Sequence, residues 1–123
     1  MTILNNQIYE VAKSINGESH VAPTHLGYTE DELDINISDT TLPNEIGSRN
    51  TLSGSRSLNT IEFSALRLST DVVDTVNGDD IKGIGTFDAA TNGTMLIEND
   101  VIGLLQTTNF DVEFIDTINI IQG

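Results

Sequence analysis

Ile81-Lys82-Gly83-Ile84-Gly85-Thr86-Phe87-Asp88-Ala89-Ala90-Thr91-Asn92-Gly93-Thr94-Met95-Leu96-Ile97 places two apolar runs on either side of a turn-rich centre. It predicts a β-hairpin. On an extended chain Ile81, Gly83, Gly85 and Phe87 share one face, Asp88 can bond its own backbone to start the turn, and Asn92-Gly93 supplies positive φ where the second strand begins. Outward from this centre the chain continues as short strands with turn signals between them, which points to antiparallel β structure.

Upstream, Pro23 removes a backbone donor and forces Ala22 towards an extended conformation, so a strand is expected from Thr24 to Tyr28. Leu33, Ile35 and Ile37 alternate with Asp34 and Asn36, the pattern of a half-buried strand. From Asp39 to Leu58 the chain is rich in Ser, Thr, Asn and Gly, carries Pro43, and offers only Leu42 and Ile46 as a single helical turn. It is expected to be a long excursion, either loose or ordered by a neighbouring subunit. Ile61 and Phe63 set one strand parity and Leu66 and Leu68 the other, which predicts a bulge near Ala65.

Downstream of the hairpin, Val101-Ile102-Gly103-Leu104-Leu105 reads as a buried strand with a bend or bulge at the glycine. Phe110, Val112, Phe114, Ile118 and Ile120 then share one face opposite Asp111, Glu113, Thr117 and Asn119, and this long alternation predicts a central strand. The N-terminal segment differs: Ile3, Leu4, Ile8, Val11, Ala12 and Ile15 recur at helical spacing, Thr2 is placed to cap the start, Lys13 lies near the negative end of the dipole, and Asn16-Gly17 supplies the terminator. Six aligned apolar side chains predict a buried face, packed on the chain's own sheet or docked into a neighbour's groove. The expected architecture is a single domain over 1–123, mainly β: an antiparallel two-sheet β-sandwich of seven or eight strands over 18–123, with one N-terminal α-helix within 1–17.

Composition narrows the function. Against 19 acidic residues stand 5 basic ones, a formal charge of −14, which repels phosphate backbones and anionic membranes and excludes nucleic acid and membrane as expected partners. The same balance suits solution in concentrated salt, as in a halophilic source. There is no cysteine, so no disulfide or thiolate site holds the fold. Neither a signal peptide nor an apolar run long enough to span a bilayer is read in the sequence.

Chemistry is sparse. His20 and His25 lie five apart across Pro23 with no third ligand at a metal spacing, and Asp71, Asp74, Asp79 and Asp80 with Asn77-Gly78 lack the alternating ligand order of a calcium loop. A solvated acidic loop is expected, with no metal and no cofactor. Gly83-Ile84-Gly85 lies within a strand rather than opening a helix, so it is no dinucleotide fingerprint, and no nucleophile-base pair stands out. No catalytic residue is assigned.

The wording of the hairpin carries more. Ile84-Gly85-Thr86-Phe87-Asp88-Ala89-Ala90, followed by Gly93 and Leu96, resembles a segment of the small tail or tail-fibre proteins of tailed bacteriophages and tailed archaeal viruses. Ala22-Pro23-Thr24-His25-Leu26-Gly27 and the later Asp39, Leu42, Glu45 and Arg49 resemble that family's first strand and its acidic run. Lys82-Gly83 stands where the family's hairpin usually has an acid, and the Ser- and Gly-rich stretch after Arg49 is a second departure. The resemblance implies a virion structural protein, a tail, tail-fibre or neck subunit that assembles with itself and with other virion proteins. The rival readings are a capsid decoration or turret subunit, and a carbohydrate-binding adhesin, for which Tyr28 is the only aromatic between Gly17 and Phe63. The residues expected to make assembly contacts are Ile3, Ile8, Val11, Ile15, Leu42, Ile46 and Arg49.

Overall fold

The computed structural model describes residues 1–121. Its hairpin pairs β6 (Asp79–Phe87) with β7 (Met95–Gln106). Asp88 Oδ1 accepts the Thr94 N–H at 2.7 Å, and Asn92 and Gly93 turn the chain at φ of 54° and 68°. A β-carbon at Gly93 would run into Asp88, so the turn needs glycine there.

Around this hairpin lie β1 (Thr2–Ile3), α1 (Asn5–Ile15), β2 (His25–Thr29), β3 (Glu45–Thr51), β4 (Ser53–Ser57), β5 (Thr60–Arg67), a 3₁₀ turn (Ser69–Asp71) and β8 (Val112–Asn119). One sheet has five strands in the order β1-β7-β6-β2-β3 and the other three in the order β4-β5-β8, with every pairing antiparallel. This is the mainly β, two-sheet architecture with one N-terminal helix that the sequence predicts. None of the described helices is long and apolar enough to cross a membrane.

The hairpin strands are covered on both faces, which is why they read as apolar runs. Leu26, Tyr28, Ile81 and Ile84 face the second sheet and meet Ala65 and Phe114. On the outer face Phe87 and Met95 pack with Leu4, Leu42 and Leu33, under the segment 30–44. Gly27 and Gly85 sit opposite each other on that outer face, where a β-carbon on Gly85 would fall 2.5 Å from Met95 Sδ. Ile81 leaves the face expected for it: the register shifts between Ile81 and Gly83, carrying Ile81 to the inter-sheet core. Gly103, at φ 71°, lies in the β7 side of that shift. Val101 and Leu104 pack against the core, while Ile102 and Leu105 point to solvent, so this run is only partly buried.

Other expectations fail for definable reasons. Residues 33–37 form no strand: Leu33 packs onto the outer core and Ile37 is exposed, so the alternation records one covered side without a ladder partner. Most of Asp39–Leu58 is not an excursion, since it holds β3 and β4, edge strands on different sheets. Their backbone bonds need no apolar side chains, and all five β4 residues are exposed. No bulge interrupts β5. Its register with β8 runs unbroken from Thr60–Asn119 to Arg67–Val112, so the inward parity of Ile61, Phe63 and Ala65 continues to Arg67, leaving Leu66 and Leu68 outside. β8 is an edge strand rather than a central one, pairing only with β5, and Asn59 ties its end by accepting the Ile120 N–H at 2.8 Å and donating to the Ile120 carbonyl at 2.7 Å. Thr2 belongs to β1 and the helix begins after Leu4 with no side-chain cap, while Gly17, at φ 74°, terminates it as expected.

Candidate assembly surface

α1 buries none of its residues. Its apolar face, expected to be covered, leaves Ile8 53%, Val11 50% and Ile15 83% exposed. The cause is how the helix is held. Leu4 is fully buried in the outer core and Asn6 Nδ2 reaches the Met95 carbonyl at 3.4 Å, so the helix is fixed at its first turn while the rest projects past the sheet. Between that projecting face and the inner face of the three-stranded sheet runs a groove of about 530 Å³, with Ile3, Ile8, Val11 and Ile15 on one wall and Ile61, Phe63, Ile118 and Ile120 on the other. Val21 to Pro23 close one side. Among the described residues that line it Glu10 is the only acid, held by Lys13 at 3.0 Å and by the Val21 N–H at 2.9 Å, and His20 lies on the same lining.

Of the expected contact residues, the structure brings Ile3, Ile8, Val11 and Ile15 together on this groove and places the other three inside the chain. Leu42 is buried under the outer core and Ile46 packs against the inter-sheet core. Arg49 forks onto both Glu45 carboxylate oxygens at 2.6 and 3.0 Å, donates to the Ala89 and Asn92 carbonyls at 2.8 and 2.7 Å, and lies 3.4 Å over the Phe87 ring. It clamps β3 to the hairpin turn. With its donors spent in this way, Arg49 has little left for a neighbour.

The opposite end of the sandwich is closed by polar groups that the sequence reading missed. Arg67, 1% exposed, pairs with Asp79 at 2.6 Å, donates to Gln106 Oε1 at 2.8 Å and to the Asp71 carbonyl at 3.2 Å, and lies 4.9 Å from the Tyr28 ring centre. Gln106 Nε2 returns bonds to the carbonyls of Arg67, Leu68 and Phe110. Burial pushes the Asp79 carboxyl up, but the N–H groups of Asp74 and Val73 and the Arg67 guanidinium outweigh it and hold the group below the usual aspartate range. Tyr28, raised by its burial, donates to Asn50, which in turn donates to Asp71 at 3.1 Å. Thus Asp71 and Asp79 are structural acceptors rather than members of a solvated loop. A signal was present: Arg67 keeps the parity of Ile61, Phe63 and Ala65.

No three His, Asp or Glu side chains gather as a metal site among the described residues. Compared with protein-family models, curated proteins and solved structures, the chain matches none of them.

Proposed function

We propose that this chain is a virion structural protein of a tailed virus, a tail, tail-fibre or neck subunit that works by symmetric association. The sequence resemblance in the hairpin and in Ala22–Arg49 supplies the class of particle. The observation that carries the reading is the apolar groove beside α1, on a chain whose charge is −14 and whose surface would otherwise repel copies of itself. Exposed apolar surface concentrated at one place marks an interaction site. A neighbouring copy is its occupant, because the exposed Ile15 and Ile120 stand on the groove's own two walls, so the apolar surface to be covered and the cleft form one patch, which a two-fold contact can set against itself. The interior polar groups support the same reading, since the Arg67–Asp79 pair, the Arg67–Gln106 bond and their bonds to the backbone are made within the chain, although the buried Arg67 Nε has no partner among the described residues.

Sedimentation velocity across a salt series tests the assignment. Wild-type protein should associate more strongly as salt screens the acidic repulsion, and Val11→Asp should stay monomeric throughout. A wild-type chain that remains monomeric at high salt and high concentration would remove the groove as a contact between copies.

A further inference from the structure

We infer that Leu58, at the tip of the β4–β5 hairpin, is the side chain that a neighbouring copy inserts into the α1 groove, an inference that rests on reading this groove as a contact between copies. Ser57 and Thr60 close the hairpin, so Leu58 and Asn59 make its two-residue turn. Leu58 stands at φ 53°, a left-handed conformation that strains a bulky side chain and is ordinarily left to glycine, asparagine or aspartate. Nothing within the chain repays that strain, because the leucine is 86% exposed. A strained residue that the fold itself does not use points to function, and what this turn does is hold an apolar side chain clear of the surface.

Two bonds and one register place the tip at the rim of the groove. Asn59 accepts the Ile120 N–H at 2.8 Å and donates to the Ile120 carbonyl at 2.7 Å, and Arg56 stands opposite Ile61 on the same face of the sheet. Ile61 and Ile120 both line the groove. Tip and cleft thus belong to one surface, and a two-fold axis beside them carries each Leu58 to the other copy's groove. Charge selects the same occupant. Of the five basic side chains, Arg49 and Arg67 are spent inside the chain and Lys13 and Lys82 lie beside Glu10 and Asp80, whereas Arg56 makes no ion pair among the described residues. It donates instead to the Leu58 carbonyl at 2.9 Å, which travels with the tip. On the groove side each Glu10 oxygen accepts one bond, from Lys13 or from the Val21 N–H, and keeps lone pairs for an incoming guanidinium. A tip of leucine and arginine matches a largely apolar cleft whose one acid among the described residues is Glu10.

The sequence contains no cysteine, so introduced thiols report the contact without background. Leu58→Cys and Val11→Cys chains, mixed and oxidised at high salt, should cross-link chiefly one kind to the other, since a disulfide forms only where two β-carbons come close. Cross-links mainly between like chains, or none while both variants still sediment as oligomers, would overturn the insertion. Leu58→Gly separates the tip's role from folding. Glycine accepts the turn's φ without strain, so this variant should unfold at the same or a higher urea concentration than the wild type while its self-association weakens by about tenfold. If Val11→Asp abolishes association and Leu58→Gly leaves it at the wild-type strength, the insertion is wrong and the groove contact stands. A wild-type chain that stays monomeric fails the groove itself, and the insertion with it.

Discussion

The two ends of this sandwich are finished in opposite ways. At one, a charged side chain stands on the inward face of β5 and is enclosed by Asp79, Gln106 and Tyr28. At the other, the same inward face of β5 continues as Ile61 and Phe63, looks across a gap at α1, and is left open. The contrast teaches that apolar and polar residues have exchanged their usual places here. The ion pair holds the chain to itself, whereas the isoleucines are free to hold something else. Stability and association are therefore separable, because substitutions at distant, unconnected places act nearly independently.

The largest effect is expected at the closed end. Arg67→Met leaves Asp79 buried without its cation and should cost about 3–5 kcal/mol, read as a lower urea midpoint with an unchanged slope. A loss under about 1 kcal/mol would mean the backbone N–H groups alone hold Asp79. The same pair sets an acid limit. Because the Asp79 carboxyl is depressed, its contribution is present above the ordinary aspartate range and is lost as pH falls through the lowered value, so acid unfolding of Arg67→Met should begin at higher pH than in the wild type.

Between the two ends, Arg49→Ala removes the fork to Glu45 and two bonds to the hairpin turn, for an expected 1.5–3 kcal/mol, about the range of hydrogen bonds to charged groups. Arg49→Lys should recover only a fraction, since an ammonium cannot make the planar fork or stack over Phe87 in the same way. Full recovery by lysine would reduce the clamp to a simple charge effect. The smallest change in folding is expected at the open end. Val11→Asp should shift the unfolding free energy of the isolated chain by no more than about 0.5 kcal/mol, despite placing a charge on the apolar face. A large destabilisation of the monomer would show that the groove closes on itself in solution.

What could be read in the sequence was local chemistry. The hairpin was legible because Asp88 and Asn92-Gly93 dictate the turn whatever packs on it, and α1 was legible as an element because its period is its own. Its surroundings were not, since spacing tells which face is apolar and nothing about what covers it. The serines of β4 hid a strand held by backbone bonds at a sheet edge. β8 shows the complementary error: a clean alternation defines two faces but not the number of neighbours. Arg67 was passed over because the apolarity of Leu66 and Leu68 outweighed a parity that in fact never broke. As for the candidate surface, Ile3, Ile8, Val11 and Ile15 lie along it, while its second wall, Ile61, Phe63, Ile118 and Ile120, shows in the sequence only as the apolar faces of two strands.

The ladder between β5 and β8 also bears on the order in which the chain assembles. Thr60 and Asn119, joined through their side chains at 2.7 Å, stand 59 positions apart in sequence, whereas the β6–β7 hairpin closes across a single short turn. Distant pairings must meet the loss of chain freedom before they return any contact, so they form late. During synthesis β5 can pair early with its sequence neighbour β4, but its other edge stays open until β8 emerges. The β5–β8 ladder is thus completed after the hairpin, and a chain cut short before Val112 would keep its hairpin but expose the unpaired edge of β5 to pairing with other chains.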